Sequence, residues 1–522
     1  MAQKITISPV TRVEGHGKVT IHLNDDGEVI QSRLHIVEFR GFERFVQGRP
    51  YWEAPVLVQR LCGICPVSHH LAAAKAVDVI VGAGTGDGLT PTAEKIRRLM
   101  HYGQILQSHA LHFFHLASPD LLFGVDADPA RRNVIALART PEYRDLAVQG
   151  VMMRKFGQEI IKATAGKKIH GTGAIPGGVN RSLTEEERDG FLKGEDPLNA
   201  DAMIEWAEAA ITLFRDFHKK NREMVDEFSR FPSNHLSLVG KDGAMDLYHG
   251  KLRAVDADGK KILHDIDYQE YLDYIGEEVR SWSYMKFPFL TELGKQDGWY
   301  RVGPLARLNT CEHIPTPRAQ EAFETYKSYT DGRPNDMCMH THWARLIETL
   351  FAAESIKLLL EDPDILKDDL LTKGKRYPEG IGLLEAPRGT LFHHYRVNEE
   401  DQITMANLAR PGVLENDVKR DPHFRAELDM TEHQEPLVFH ISEELAPVQH
   451  GSHDVAFGET FARGMPRGVR ADTIAALAHQ GPEFCQCPNS GASRGAHKFL
   501  LQAAKTAGTY FACRWSAHVA GH

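Results

Sequence analysis

Residues 60 to 69 read Arg60-Leu61-Cys62-Gly63-Ile64-Cys65-Pro66-Val67-Ser68-His69. Two cysteines separated by two residues can direct both sulfur atoms at one thiophilic metal ion, such as nickel, iron, zinc or copper. Gly63 gives the short loop between them the backbone freedom that a tight chelate requires. The positive charge of Arg60 favours the thiolate, which is the form that binds metal. This stretch therefore predicts a metal site built on soft ligands.

Two other interpretations of Cys62 and Cys65 remain open on this evidence. A structural zinc site would need two further ligands at short spacing, and His69 is the only candidate nearby. A redox-active dithiol would more typically follow a β-α-β pattern, whereas here Trp52-Glu53-Ala54-Pro55 leads into a short predicted helix. Metal binding is the interpretation that the sequence favours.

The composition is that of an ordinary soluble enzyme. The 522 residues can bury a large core and form two or three lobes. The net charge of -10 is spread without long runs of like charge, so we expect neither nucleic acid nor membrane as a partner. The absence of a long apolar run and of a signal-peptide pattern predicts a cytoplasmic location. Seven cysteines at wide spacing fit reduced thiols and metal binding better than disulfides.

The amino-terminal region, placed at residues 1–50, alternates apolar and polar residues as strands do. Apolar residues recur from Val19 to Leu23 and from Val29 to Val37, with the turn sequence Asn24-Asp25-Asp26-Gly27 between them. A small antiparallel sheet is predicted.

The body, placed at residues 51–408, carries mainly helical periodicity. Thr90-Pro91 with Glu94 marks the start of one long helix. Further helices are predicted over roughly 142–165, 200–230, 317–330 and 342–361, loops at 170–181 and 374–382, and a minor β insert at about 236–265. The expected fold class is mainly α (α+β), a helical bundle with small sheets. Residues 409–522 form an atypical carboxy-terminal tail whose structure the sequence does not indicate.

Three charged residues occupy turn-like sequences elsewhere. Glu14 lies in the break between two predicted strands, where it is either a solvated corner or a carboxylate that passes protons beside a metal site. Glu43 is either a ligand for a hard metal ion or a surface charge. Arg388 stands between a proline and a glycine, which either fixes its guanidinium toward an anionic ligand or places it in an ordinary ion pair.

Taken together, these segments resemble the large subunit of nickel-iron hydrogenases, most closely the soluble NAD-reducing, bidirectional Hox type. The resemblance covers about residues 4–408. Its motifs are Thr11-Arg12-Val13-Glu14-Gly15-His16, Val37-Glu38-Phe39-Arg40-Gly41-Phe42-Glu43, Arg60-Leu61-Cys62-Gly63-Ile64-Cys65, Ile175-Pro176-Gly177-Gly178-Val179-Asn180 and Glu385-Ala386-Pro387-Arg388-Gly389-Thr390. It implies the hydrogenase large-subunit fold.

The resemblance also implies roles for individual residues. Cys62 corresponds to a terminal nickel thiolate and Cys65 to a thiolate that bridges nickel and iron. Glu14 corresponds to the proton-relay carboxylate and Glu43 to a magnesium ligand. Arg388 corresponds to the guanidinium beside the CO and CN ligands of the iron.

The implied reaction is the reversible oxidation of H2 to protons and electrons at the nickel-iron centre. Electrons would pass to iron-sulfur clusters on a small subunit, then through FMN on diaphorase subunits to NAD. These cofactors are expected on partners, because this chain has neither a G-x-G-x-x-G fingerprint nor a cysteine set for clusters. A hetero-oligomer is therefore expected, with the small subunit covering the metal-bearing face.

The tail departs from this pattern. The family supplies two further thiolates from an Asp-Pro-Cys-x-x-Cys-x-x-His motif near the carboxyl terminus, and this chain lacks it. Cys485 and Cys487 are the closest candidates, although they stand one residue too close together. The abrupt switch after Leu408 indicates a frame change, a fusion or an altered gene sequence more than a new ligand set. It also leaves an alternative function open, a non-catalytic scaffold like the quinone-site subunit of respiratory complex I.

Overall fold

The computed structural model describes residues 3–8, 10, 16–38, 41–84, 88–124, 127–128, 130–194 and 198–408. Glu14, Cys485 and Cys487 lie outside these residues, as does the tail predicted at 409–522. No helix in the described ranges combines the length and the apolar character that crossing a bilayer requires.

The amino-terminal strands form the predicted antiparallel sheet. Its strands are β1 (Gln3–Ile7), β2 (Gly17–Leu23) and β3 (Val29–Ile36), in the order β1-β2-β3. The β2–β3 turn is closed by the Asn24 side chain, whose Oδ1 accepts the backbone N–H of Asp26 at 3.1 Å and of Glu28 at 2.8 Å. Gly27 adopts a φ of 83°, which a residue with a side chain rarely takes up.

Helices make up about half of the described body. They are α1 (Phe42–Phe45), α2 (Ala54–Leu57), α3 (Pro66–Ile80), α4 (Pro91–Ala110), α5 (Ser118–Phe123), α6 (Val134–Arg139), α7 (Arg144–Ala165), α8 (Glu185–Lys193), α9 (Ala200–Lys220), α10 (Arg222–Glu227), α11 (Tyr271–Tyr274), α12 (Gly294–Asp297), α13 (Pro304–Thr310), α14 (Pro317–Ser328) and α15 (His340–Glu361). The long helices α4, α7, α9 and α15 enclose the largest apolar core, to which Phe156, Phe214 and Phe351 contribute buried side chains. The helices follow the predicted positions, except that the helix predicted over 200–230 is divided at Asn221 into α9 and α10.

Helix α4 begins as its sequence predicts and ends in an unusual way. The Thr90 side chain accepts the N–H of Ala93 at 3.1 Å, which caps the first turn. Beyond Ala110 the chain continues as a π-helix over Leu111–Ala117, a form that is often found at functional sites. Gly103 lets α7 approach, because a Cβ atom there would press against Gly157 and Ile160 of that helix.

The strands of the second half are more extensive than predicted. They are β4 (Ala174–Ile175), β5 (Gly178–Val179), β6 (Asn234–Val239), β7 (Lys251–Val255), β8 (Lys261–Ile266), β9 (Ile275–Arg280), β10 (Ser283–Leu290), β11 (Tyr300–Arg301), β12 (Glu379–Ala386), β13 (Gly389–Val397) and β14 (Ile403–Asn407). The β insert predicted at 236–265 is present as β6, β7 and β8, and β11 joins that sheet beside β6.

The loop predicted at residues 374–382 is present as far as Pro378, but residues 379–382 already belong to β12. The loop predicted at 170–181 contains the short antiparallel pair β4–β5. Every residue of β12 after Glu379 is buried, so the strand shows no alternation of apolar and polar residues. A strand buried on both faces gives the sequence no period of two to detect.

The packing of β12 against α3 supports the metal motif. A Cβ atom on Gly380 or Gly382 would overlap the carbonyl oxygen of Ala76 or Ala72 on the helix. The strand and the helix are therefore in backbone contact. Since α3 begins directly after Cys65, this contact anchors the element that carries the motif.

Candidate metal centre

The two motif cysteines converge on one point. Cys62 follows a short 3-10 turn and Cys65 caps the amino end of α3. Their Sγ atoms lie 2.7 Å apart, and the backbone N–H of Cys65 points at the Cys62 sulfur over 3.1 Å. Neither cysteine is in a disulfide. An amide donor and the helix amino terminus both favour negative charge, so this position suits a pair of thiolates.

The loop between the sulfurs is held from outside. The side-chain Nε2 atoms of Gln104 and Gln107 on α4 donate to the carbonyl oxygen of Ile64 at 2.9 and 3.2 Å. Both glutamines are buried. Helix α4 therefore fixes the loop between the two cysteines. The sequence did not reveal this contact, because the glutamines lie about 40 positions away from Ile64.

His69 is linked to a chain of buried polar groups. It lies one helical turn after Cys65, on the same side of α3. Its Nδ1 is 3.1 Å from Nε2 of His393, whose Nδ1 is 2.7 Å from the Tyr395 hydroxyl. Burial lowers the pKa of His69 to about 4 and that of His393 well below its ordinary value, so both rings are neutral at pH 7. Sequence reasoning named His69 but missed His393 and Tyr395.

Arg388 occupies the turn between β12 and β13, where it is exposed. The backbone just before it is held by the buried Arg307, which donates to the carbonyl oxygens of Ala386 at 2.9 Å and Pro387 at 3.3 Å. Burial lowers the pKa of His112, and Arg388 is among the positive charges that lower it further. Arg388 comes last among these charges, after Arg345, so it affects His112 of the π-helical segment only weakly.

Arg307 is itself part of a buried ionic network. Its guanidinium contacts both oxygens of Glu348 at 2.6 and 2.7 Å and one oxygen of Glu385 at 2.8 Å. Nε2 of His109 donates to Glu348 at 2.8 Å, and Arg345 donates to the other ring nitrogen at 3.2 Å. Glu348 and Glu385 thus hold Arg307 in place, and Arg307 in turn holds the turn that carries Arg388. No local sequence motif indicates this arrangement.

The remaining predicted residues are spread over several places. Glu43 lies in α1, and its Oε1 accepts the backbone N–H of Leu408 at 3.2 Å, next to the end of the described chain. Cys311 is buried and its pKa is raised to about 12, mainly by burial, so it is a protonated apolar thiol. Cys338 is half-buried. Nothing in the described residues speaks for either of these two as a metal ligand.

The described residues supply two of the four thiolate ligands that the resemblance implies for a nickel-iron centre. Cys62 and Cys65 supply two converging sulfur donors that suit soft metals. A bimetallic centre needs more thiolates than these two, and they would come from outside the described residues. The donor set therefore agrees with the predicted metal but is incomplete within residues 3–408.

Comparison with known proteins gives a consistent result. The HoxL-like family profile matches residues 4–39, and the nickel-dependent hydrogenase profile matches residues 40–146. The chain is 53% identical over 424 residues to the NAD-reducing hydrogenase HoxS subunit beta of Cupriavidus necator, spanning 80% of this chain and 86% of that protein. It is 43% identical to a chain of the F420-non-reducing hydrogenase vhu of Methanococcus voltae, spanning 78% of this chain and 93% of that protein.

A solved structure agrees with these relatives. The fold matches the crystal structure of an NAD+-reducing NiFe hydrogenase in the H2-reduced state with a TM-score of 0.74 and 52% identity, over 78% of this chain and 88% of that one. The chain therefore belongs to the nickel-dependent hydrogenase family, as a large, catalytic subunit of the nickel-iron type. Within that family it is similar to the NAD-reducing members, and the resemblance inferred from the sequence is confirmed.

Proposed function

We propose that Cys62 and Cys65 are the amino-terminal thiolate ligands of the nickel-iron centre at which this chain oxidises H2 reversibly to protons and electrons. The observation that carries the assignment is the pair of sulfur atoms 2.7 Å apart at the start of α3, neither of them in a disulfide. When bound, a nickel-iron pair supplies a Lewis acid that polarises and splits H2. In the proposal Cys62 would hold nickel, and Cys65 would be the second thiolate that holds the metal pair.

Proton movement is assigned to Glu14, as the carboxylate that carries protons away from the thiolates. The neutral imidazole of His69 can exchange hydrogen bonds with His393 without adding a positive charge beside the metal. Glu43 is proposed as a magnesium ligand, and Arg388 as the guanidinium that lies beside CO and CN ligands of the iron. The role of Arg388 is supported by Arg307, which holds the backbone directly before it and is itself held by buried ion pairs with Glu348 and Glu385.

The proposed partners follow from the similarity to NAD-reducing hydrogenases. A small subunit with iron-sulfur clusters receives the electrons, and diaphorase subunits with FMN pass them to NAD. A cytoplasmic location is part of the proposal, because NAD is the acceptor.

The test compares the metal content and the activity of matched cysteine variants. The chain is matured with its partners in a host that has the nickel-iron assembly machinery, and nickel and iron are measured by elemental analysis. Cys62→Ser with Cys65→Ser should lower nickel at least tenfold and abolish H2-dependent NAD reduction, since two of the soft donors are gone. Cys338→Ser is the control and should keep both. Undiminished turnover in the double variant would end the proposal.

A second function calls for its own test because the chain lacks the carboxy-terminal Asp-Pro-Cys-x-x-Cys motif. It is a scaffold that resembles the quinone-site subunit of respiratory complex I and holds no nickel. Absence of nickel and iron from the unsubstituted, matured chain would favour the scaffold.

A further inference from the structure

Three metal-binding side chains meet at a place that the hydrogenase motifs do not include. His218 lies in the last turn of α9, Asp226 lies in α10, and His340 is the first residue of α15. Nε2 of His218 is 2.8 Å from Oδ1 of Asp226, and Nε2 of His340 is 3.2 Å from the same oxygen. One ligand atom from each residue lies within 4.8 Å of the other two. Two nitrogens and one oxygen therefore face a common point.

The Asp226 carboxylate is oriented by its neighbours. The Tyr329 hydroxyl donates to Oδ2 at 2.6 Å, and Nε of Arg222 lies 3.5 Å from that oxygen. Oδ1 is left to face the two imidazoles. Burial alone would raise the pKa of Asp226, but the hydrogen bonds from Tyr329, His218 and His340 lower it, so the carboxylate is ionised at pH 7. Outer contacts of this kind orient the ligands of metal sites.

The histidines are held by well-packed elements. His218 and His340 are 5% and 0% exposed, and their ring centroids are 4.9 Å apart. Burial lowers the pKa of His340 to about 4, which leaves the neutral imidazole that a metal requires. Asp226 keeps a side-chain exposure of 16%, which gives an ion access from solvent.

We propose that His218, Asp226 and His340 form a second metal site, separate from the Cys62–Cys65 centre, that binds one zinc ion through two Nε2 atoms and one carboxylate oxygen. Two imidazoles and a carboxylate are ligands that zinc accepts at a three-residue site, with water in the fourth position. Calcium and magnesium prefer all-oxygen sites, whereas imidazole ligands suit zinc. The bound ion would tie the α9–α10 corner to the start of α15.

The hydrogen bond between Asn335 and His340 makes zinc binding less favourable, and changing Asn335 therefore tests the proposed site. Asn335 Oδ1 accepts the N–H of Met337 at 3.0 Å, so its Nδ2 faces Nδ1 of His340 at 2.9 Å as a donor. His340 therefore carries its proton on Nε2 in this arrangement. Zinc binding moves that proton to Nδ1, which then needs an acceptor where the Asn335 amide presents N–H groups. An aspartate at position 335 would provide that acceptor.

The first experiment measures zinc bound by the full-length chain in a Cys62→Ser, Cys65→Ser background, which removes the sulfur site. After equilibrium dialysis against zinc, elemental analysis should show one more equivalent in this parent than in its His340→Gln or Asp226→Asn derivative. Zinc should also raise the Tm of the parent and not of the derivatives. His264→Gln, which changes an exposed histidine on β8, is the matched control and should bind as the parent does.

The second experiment uses a gain of affinity, which a failure to fold cannot mimic. Asn335→Asp should bind zinc at least tenfold more tightly than the parent, because a carboxylate can accept both the Met337 N–H and the His340 Nδ1–H. Equal zinc content in the His340→Gln and His264→Gln derivatives would overturn the proposal. So would an unchanged zinc affinity in Asn335→Asp. Neither result bears on the nickel-iron centre.

Discussion

At the scale of single residues, buried ion pairs stabilise the turn that carries Arg388. Removing one partner of a buried pair leaves an uncompensated charge, so these pairs matter for stability. Glu348 is fully buried, and its two oxygens accept from Arg307 and His109. Burial alone would raise its pKa, but the charge and hydrogen bonds of Arg307 lower the pKa to about 2. Because the folded pKa is below that of the unfolded chain, ionised Glu348 stabilises the fold above pH 4.5, and this stabilisation is lost as pH falls toward 2.

Glu348→Gln should therefore lower the free energy of unfolding by about 3 kcal/mol at pH 7, because the amide turns an N–H group toward Arg307 and leaves buried positive charge less compensated. The deficit should shrink between pH 4.5 and pH 2, where the native glutamate also becomes protonated. Calorimetric or urea unfolding across this pH range measures both effects. Glu361→Gln, on an exposed residue of the same helix, should change stability by less than about 0.5 kcal/mol. A constant deficit across the range would contradict the assignment.

The residues of the site were predictable only where they lie in one local motif. Cys62 and Cys65 are three positions apart, so their spacing alone indicates a shared ligand. His393 contacts His69 from 324 positions away, and Arg307 contacts Glu385 from 78 positions away. Such contacts depend on how the strands are placed against the helices, which a residue pattern does not record. The triad of His218, Asp226 and His340 escaped for the same reason.

At the scale of elements, glycine at close contacts determines how α3 is held. Gly382 of β12 leaves no room for a side chain, because a Cβ atom would overlap Ala72 O and approach Ala76 N. Gly382→Ala should separate strand and helix and destabilise the chain by about 2 kcal/mol, a typical cost of overpacking. Since α3 begins directly after Cys65, nickel content should also fall. Thermal unfolding and elemental analysis give the two readouts.

Gly190→Ala is the matched control for that change. Gly190 lies within α8, and apart from its chain neighbours and the backbone of its own helix no atom stands within 4 Å of the place that a Cβ atom would take. Alanine there should stabilise the helix by about 0.5–1 kcal/mol. Equal effects of the two substitutions would show that the β12–α3 contact does not govern stability.

The elements that the sequence predicted best are those with a strong period. Helix α4 has an N-cap, a proline in the first turn and a regular apolar face, and the amino-terminal strands have alternation and a turn sequence. The β12–β13 hairpin has neither signal, because most of its residues are buried and its turn contains Pro387 and Arg388. Sequence patterns thus found the helices and the turn-linked strands, buried or not, and missed the buried strands that have no period of two.

At the scale of the whole molecule, the main question is where the remaining thiolates come from. The described chain ends at Leu408, whose N–H contacts Glu43, the residue proposed to bind magnesium. After residue 408 the only closely spaced cysteines are Cys485 and Cys487. This pair is therefore the candidate that the chain itself offers for the missing ligands.

Cys485→Ser with Cys487→Ser should then lower nickel and iron in the matured complex at least tenfold, to the level of the Cys62→Ser, Cys65→Ser variant, because either pair alone is too few donors for two metals. Cys513→Ser, on the lone cysteine of the tail, is the control and should retain the metals. Intact mass must first match all 522 residues, so that the tail is known to be present. Full nickel in the Cys485→Ser, Cys487→Ser variant would exclude the tail pair as ligands and require the missing donors to come from another source.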